Sequence, residues 1–526
     1  MRKKIVIVGG GHNGLVVATY LAKAGHEVTV FEKRGSVGGC ASSDTTIFPG
    51  RTISRASYLN SLFLPEVIRD LELDKYGYKV FPRDPSSFTP LPCGGYLMIG
   101  ADEESNRREI AKFSAKDAEA YPKYEKALAG PAEWMAKLMT MTPPNIPPKT
   151  LRDWRNLGVF LKHLGSLSPT SFVRLLRLMF TDPVTYLDRW FESDVLKATL
   201  LTDAAIGATE LSGYVLLHHV MGESGGALGR WAYQKGGMGA ISNALRSAAE
   251  HYGAKIFCNA DVKWMILPKG DETAHVVVTV GDKLPRLVYA DIIVSNLDPR
   301  HTFAKLPVTA RMEQFRMALN KIDYASPSMK INLALSGLPD FKACPGTEPG
   351  PQHRGTIHIS PSVEYILFAL EESQMGIPST APIMDLTIPS VLDDSLASPG
   401  KHVMGIFLQF VPYGKALDKW AYWRNYVLPR LRDFISNIDK IIEGVEILTP
   451  EDLEREFGIA GGNIFHGALS LGQLFSFRPV RGMADYRTPI KWLYLCGSGT
   501  HPGGGVTGAP GYNAAREILH DIGSGN

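Results

Sequence analysis

Three glycine-rich turns carry the residues with the clearest chemistry in this chain. Gly9-Gly10-Gly11-His12-Asn13-Gly14 satisfies the pattern G-x-G-x-x-G, and Glu32 follows 18 residues after Gly14. A pyrophosphate binds to backbone N–H groups at the positive end of a helix, and a ribose diol binds to a carboxylate. Gly9 allows the tight turn, Gly11 lets the backbone approach a phosphate, and Gly14 lets the next helix pack closely. His12 and Asn13 occupy the turn itself, while Glu32, with Lys33 beside it, meets the ribose. The spacing points to a bound dinucleotide.

The second turn, Gly35-Ser-Val-Gly38-Gly39-Cys40-Ala-Ser42-Ser43, follows Glu32 at once. Gly38, Gly39, Cys40 and Ser42 there extend the site along a diphosphate. The third runs from Gly497-Ser498 through His501 to Gly505-Val506 and opens the last helix. Gly497, Ser498, Gly505 and Val506 are placed to face the pyrimidine side of a flavin, where negative charge accumulates on reduction. The set favours FAD, and no second fingerprint appears between residues 60 and 480 to hold NAD.

These residues need strands and helices to position them. The run 5–8 reads as a buried parallel strand, Leu15, Val16, Leu21 and Ala22 as the apolar face of a helix, and 27–31 as a second strand. Residues 492–496 read as another buried strand, followed by a helix packed through Ala509, Ala514, Ala515 and Ile518. Interior strands are expected at 255–258, 275–280 and 292–295. The chain is therefore read as α/β, with a discontinuous Rossmann-like, glutathione reductase-type FAD domain from residues 1–60, 231–299 and 481–526. Residues 61–230 and 300–480 are left for an α+β substrate domain with a helical cap, including strands at 329–335, 365–370 and 403–411.

The 526 residues carry a net charge of +3 and no basic run, which argues against a nucleic-acid partner. Five scattered cysteines with no C-x-x-C pair argue against a disulfide framework, a metal site or a redox dithiol. The first apolar run is too short for a signal peptide, and no run reaches the roughly 18 residues of a membrane span. A cytoplasmic protein is expected, with attachment to a membrane surface left open. Residues 151–180 bear on that question: they carry large apolar side chains and five Arg or Lys against one Asp, a pattern of membrane-surface helices or of helices covering a substrate tunnel.

The N-terminal fingerprint, Val37-Gly-Gly39 and Leu495-Cys-Gly-Ser-Gly-Thr-His-Pro-Gly503 together resemble the phytoene desaturase and carotenoid isomerase family. Gly213-Tyr-Val-Leu-Leu-His-His-Val220, Trp231-Ala-Tyr-Gln-Lys-Gly-Gly-Met-Gly239 and Phe465-His-Gly-Ala-Leu-Ser-Leu-Gly-Gln473 are similar to a subgroup called pyridine nucleotide-disulphide oxidoreductase domain-containing proteins. The resemblance implies backbone contact with adenine near Val262. It places His466 and Tyr233, which lie in subgroup motifs, on the substrate side. Ser326-Pro-Ser-Met-Lys330 is similar to the strand on which flavin amine oxidases hold a lysine near flavin N5, so Lys330 is the candidate catalytic residue. His501, within the closing loop, is a second. His218 and His219, on an apolar stretch, read as core histidines.

The expected activity is hydride transfer at flavin N5 on a hydrophobic, polyunsaturated, carotenoid- or lipid-like substrate, by desaturation, saturation or isomerisation, with oxygen or a quinone as electron acceptor. Homo-oligomerisation is left open. One alternative is an FAD amine oxidase, against which stands valine at 506, where those enzymes carry an aromatic-cage tyrosine. Another is a flavin-binding regulatory or chaperone-like protein with little turnover.

Overall fold

The computed structural model describes residues 2–224, 227–266, 274–281, 283–307 and 310–524. Apolar runs from both ends of the chain and from its middle meet in one five-stranded parallel sheet, in the order Lys255–Phe257, Glu27–Phe31, Lys4–Val8, Ile292–Ser295, Leu493–Leu495. Parallel strands need crossovers and both faces covered, which is why the central strands are uniformly apolar. Ile5 and Ile7 point to one face and pack with Val17, Leu21, Ala514 and Ile518 of the helices His12–Lys23 and Ala509–Gly523. Val6 and Val8 point to the other face and meet Val262, Met265 and Val276 of a three-stranded antiparallel sheet.

A second, seven-stranded sheet runs Ile442–Leu448, Ser328–Leu335, His402–Gln409, Ile383–Thr387, Thr356–Ile359, Ser87–Pro90, Tyr96–Ile99. Its pairs are antiparallel except Thr356–Ile359 with Ser87–Pro90. One face, including Met329, Ile331, Ile406, Met384 and Ile357, forms an apolar core with Phe341 and Leu431. The helices Ala115–Leu138, Pro169–Phe180, Asp194–Ala205 and Gly213–Val220 share a further core with the segment Leu62–Leu64.

The strand expected at 365–370 is instead the helix Val363–Gln374. Ser362 caps it by accepting from the Tyr365 N–H at 3.1 Å, and Val363, Ile366, Ala369 and Leu370 are buried at helical spacing. A short apolar run carries both periods, and here the N-cap serine was the deciding signal. The strand lies further on, at Ile383–Thr387. Among the described residues no helix is long and apolar enough to cross a membrane.

Candidate active site

A cavity of about 640 Å³ opens at the carboxyl ends of the parallel strands. Gly9, Gly11, His12 and Asn13 of the first turn line it, with Glu32, Lys33, Gly38, Gly39 and Cys40, and with Val262, Ser498 and His466 from distant parts of the chain. The Glu32 carboxylate is pinned at the strand end, accepting from the Gly10 N–H at 2.7 Å and the Arg34 N–H at 2.8 Å. Helix His12–Lys23 begins at Gly11 with no side-chain cap, so its first N–H groups remain available to an anion.

A Cβ on Gly11 would stand 2.6 Å from the Asn296 amide on the cavity wall, and one on Gly14 would stand 2.4 Å from the Gly9 carbonyl oxygen. Position 14 is thus closed by backbone, and position 11 is crowded by the Asn296 side chain. Asn13 donates to the Ser498 hydroxyl at 3.0 Å while its own Oδ1 is buried without a partner. An acceptor stranded beside open helix N–H groups and a fixed carboxylate suits a dinucleotide that brings both phosphates and hydroxyl donors.

The far end of the cavity is organised by Arg478. Its fully buried guanidinium donates to carbonyl oxygens of His466 at 3.1 Å, Ser498 at 3.0 Å and Thr500 at 3.3 Å, and also to that of Phe465. Burial pulls Arg478 down to about 10. Burial, reinforced by this cation, pulls His466 down to about 3, and burial pulls His12 down to about 4. Both imidazoles are therefore neutral donors or acceptors at physiological pH. Asp298, also on the wall, caps the helix Pro299–Ala304 and is pushed up to about 6 by burial.

The other expected site residues lie off this cavity. Gly14, Ser42 and Gly497 support its loops from behind: Ser42 accepts from Arg34 at 3.4 Å, and Gly497 packs on the Asn296 backbone. Gly505 packs against Leu62 and His218, and Val506 beside it is half-buried. His501 faces a separate apolar cavity of about 170 Å³ with Trp134, Leu138, Met179, Tyr214 and Phe475, and its Nε2 lies 2.7 Å from the Leu138 carbonyl oxygen. Tyr233 is buried beside Arg83, 5.5 Å from ring centre to guanidinium carbon. Lys330 is 2% exposed in the seven-stranded sheet, its Nζ donating to Asn332 Oδ1 at 2.6 Å, and burial pulls it down to about 7.

Sequence reasoning missed Arg478, Asn296 and Asp298. Arg478 carried one signal, a cation amid Phe475, Phe477 and Pro479. Asn296 and Asp298 directly follow a predicted strand, where site residues of parallel sheets gather.

The family described as NAD(P)-binding Rossmann-like domain matches residues 7–70. A limonene dehydrogenase polypeptide of Castellaniella defragrans is 26% identical over 99% of this chain and 95% of its own. A lycopene-forming phytoene desaturase of a Paracoccus species is 24% identical over 99% of this chain and 98% of its own. A redesigned putrescine oxidase aligns over 100% of this chain and 99% of its own, with a TM-score of 0.59 at 16% identity, a likeness of fold. All five cysteines are free. Pyridine nucleotide-disulfide oxidoreductase domain-containing protein 2 of Rattus norvegicus is 41% identical over 98% of this chain and 93% of its own length. With that likeness sustained from end to end, the chain belongs to the oxidoreductase family of pyridine nucleotide-disulfide oxidoreductase domain-containing protein 2.

Proposed function

We propose that this protein is an FAD-dependent oxidoreductase acting on a lipophilic substrate, with oxygen or a quinone as electron acceptor. The Gly9–Gly14 turn, Glu32, Gly38, Gly39 and the Val262 backbone would hold the FAD, which when bound supplies hydride acceptance at N5. The Glu32 carboxylate accepts from ribose hydroxyls, and the N-terminus of His12–Lys23 offsets phosphate charge. The neutral imidazoles of His12 and His466 add no cation to the site.

The apolar cavity under the helical cap is the observation that carries the substrate class. Trp134, Leu138, Met179 and Phe475 enclose it against the closing loop at His501 and Pro502, so an apolar chain placed there is desolvated beside the cofactor's end of the protein. The relatives' names, a limonene dehydrogenase and a phytoene desaturase, point to lipophilic substrates for those proteins. Purified protein should carry FAD, and lipid extracts should bleach its visible absorbance without air. Protein that binds FAD yet is bleached by no lipid fraction would instead be the little-turnover flavin binder.

We further propose that the helices Leu151–Leu164 and Pro169–Phe180 touch a membrane. Leu151, Trp154, Leu161, Phe172 and Phe180 are 91%, 60%, 54%, 40% and 69% exposed, beside exposed Arg155, Lys162, Arg174 and Arg177. Apolar side chains flanked by cations suit an anionic bilayer surface.

A further inference from the structure

The seven-stranded sheet has two unlike faces, and both are buried. Lys330, Phe407, Asp385 and His358 stand side by side on four adjacent strands, so they share one face. Thr387 and Thr356 lie on the same face one step away. A sheet with one polar face normally turns it to water. Here His358 is 7% and Asp385 3% exposed, with the helix Asp194–Ala205 and Tyr58 lying against them. Burying that many polar groups is costly unless they have work or partners.

The cover is incomplete. Asp203 and Tyr58 are only part-buried, so the polar face is not sealed. Within it His358 Nδ1 lies 2.7 Å from Asp385 Oδ1 and 3.5 Å from the Thr202 hydroxyl. Asp203, pushed up to about 7 by burial, feels His358 and Asp385 most strongly among the charged groups. Arg83, Tyr58, Tyr233, Lys330, with Glu446 acting on it, and His219 are the other titratable groups near the pair. Arg83 donates to Thr356 at 2.6 Å, and His219 Nδ1 lies 3.0 Å from the Asp203 carbonyl oxygen. His218, next to His219, packs on Gly505 of the closing loop. The helix Gly213–Val220 thus reaches from that loop to the Asp203 backbone beside the polar face, with Tyr214 in the apolar cavity.

We propose that the His358–Asp385 pair is the proton acceptor of the flavin reaction, and that the substrate is a lipophilic molecule bearing a hydroxyl group or a C–H beside a carbonyl. The proposal rests on the FAD reading above. Asp385 accepts from Nδ1–H and so leaves Nε2 of His358 as the base. A substrate C–H bond gives its hydrogen and electron pair to flavin N5. The O–H, or the C–H beside the carbonyl, gives its proton to Nε2, and the electron pair left behind closes the new C=O or C=C bond. FAD, when bound, would accept that hydride and return the two electrons to oxygen or a quinone. A bare hydrocarbon would leave the carboxyls, imidazole and guanidinium of this face facing an apolar surface, a mismatch that rejects it.

The test mixes FAD-loaded protein, without air, with dodecan-1-ol, dodecanoyl-coenzyme A and squalene in detergent, and follows loss of flavin absorbance. The alcohol or the thioester bleaches the flavin and squalene does not. His358→Gln slows that bleaching about 10²- to 10⁴-fold, with FAD content unchanged. Asp385→Asn, which keeps the shape but reverses the tautomer preference, gives the same loss. Arg107→Ala, at an exposed ion pair with Glu119 remote from this face, is the control and retains FAD and the full rate. Bleaching by squalene that His358→Gln leaves intact overturns the proposal while the oxidoreductase reading stands. Bleaching by none of the three, in protein that dithionite reduces, overturns both.

Discussion

Arg478 joins two loops that meet nowhere in sequence, donating to carbonyl oxygens of Phe465 and His466 on one and of Ser498 and Thr500 on the other. Arg478→Met keeps much of the volume but strands those acceptors, each costing about 1–3 kcal/mol when buried. The variant should lose roughly 3 kcal/mol or more of stability, read by chemical unfolding, and release FAD on dialysis. Gly11→Leu acts differently. Its Cβ would stand 2.6 Å from the Asn296 amide, so the turn shifts and the purified protein should be folded but free of flavin by absorbance and chromatography. The glycine spacing was legible in the sequence because Gly9 takes a positive φ and Gly11 and Gly14 meet close local contacts. Arg478 was not, because its partners are carbonyl oxygens that any residue supplies.

Helices Leu151–Leu164 and Pro169–Phe180 bury few of their own residues, with Asp153 and Asn156 inward on one and Leu175 and Leu178 on the other. Their exposed apolar side chains make a surface effect separable from a folding effect. Phe172→Glu with Phe180→Glu should cut co-sedimentation with vesicles containing phosphatidylserine at least severalfold. The melting temperature should stay within about 2 °C, since surface substitutions away from packed features change stability little. Equal co-sedimentation would remove the membrane proposal. At this scale the sequence conveyed that the segment is amphipathic and basic, and the missing information was which face the rest of the protein covers. The 365–370 segment failed for a related reason: its apolar run fits a strand or a helix, and packing on one side selected the helix.

Five histidines, His12, His218, His219, His466 and His501, are held well below their usual range, at about 3 to 4, with burial the largest cause in each. Between those values and the unfolded value of about 6.5, the unfolded chain binds more protons than the folded one, so stability falls as pH falls through that window. Asp203 and Asp298, pushed up to about 7 and about 6, act in the opposite sense, but two carboxyls oppose five imidazoles. The melting temperature should therefore drop between pH 7 and pH 5, and a flat or rising profile would show that the imidazoles are not buried neutral. By itself the sequence determined the dinucleotide turn, the central parallel strands, Glu32 at its strand end and the contribution of both chain ends to one domain. These follow from local sterics and from apolar periodicity over a few residues. Only the tertiary structure decided that Lys330, Phe407, Asp385 and His358 form one row, since cross-strand register is set by the packing of a whole sheet and leaves no trace in the spacing of four residues from separate strands.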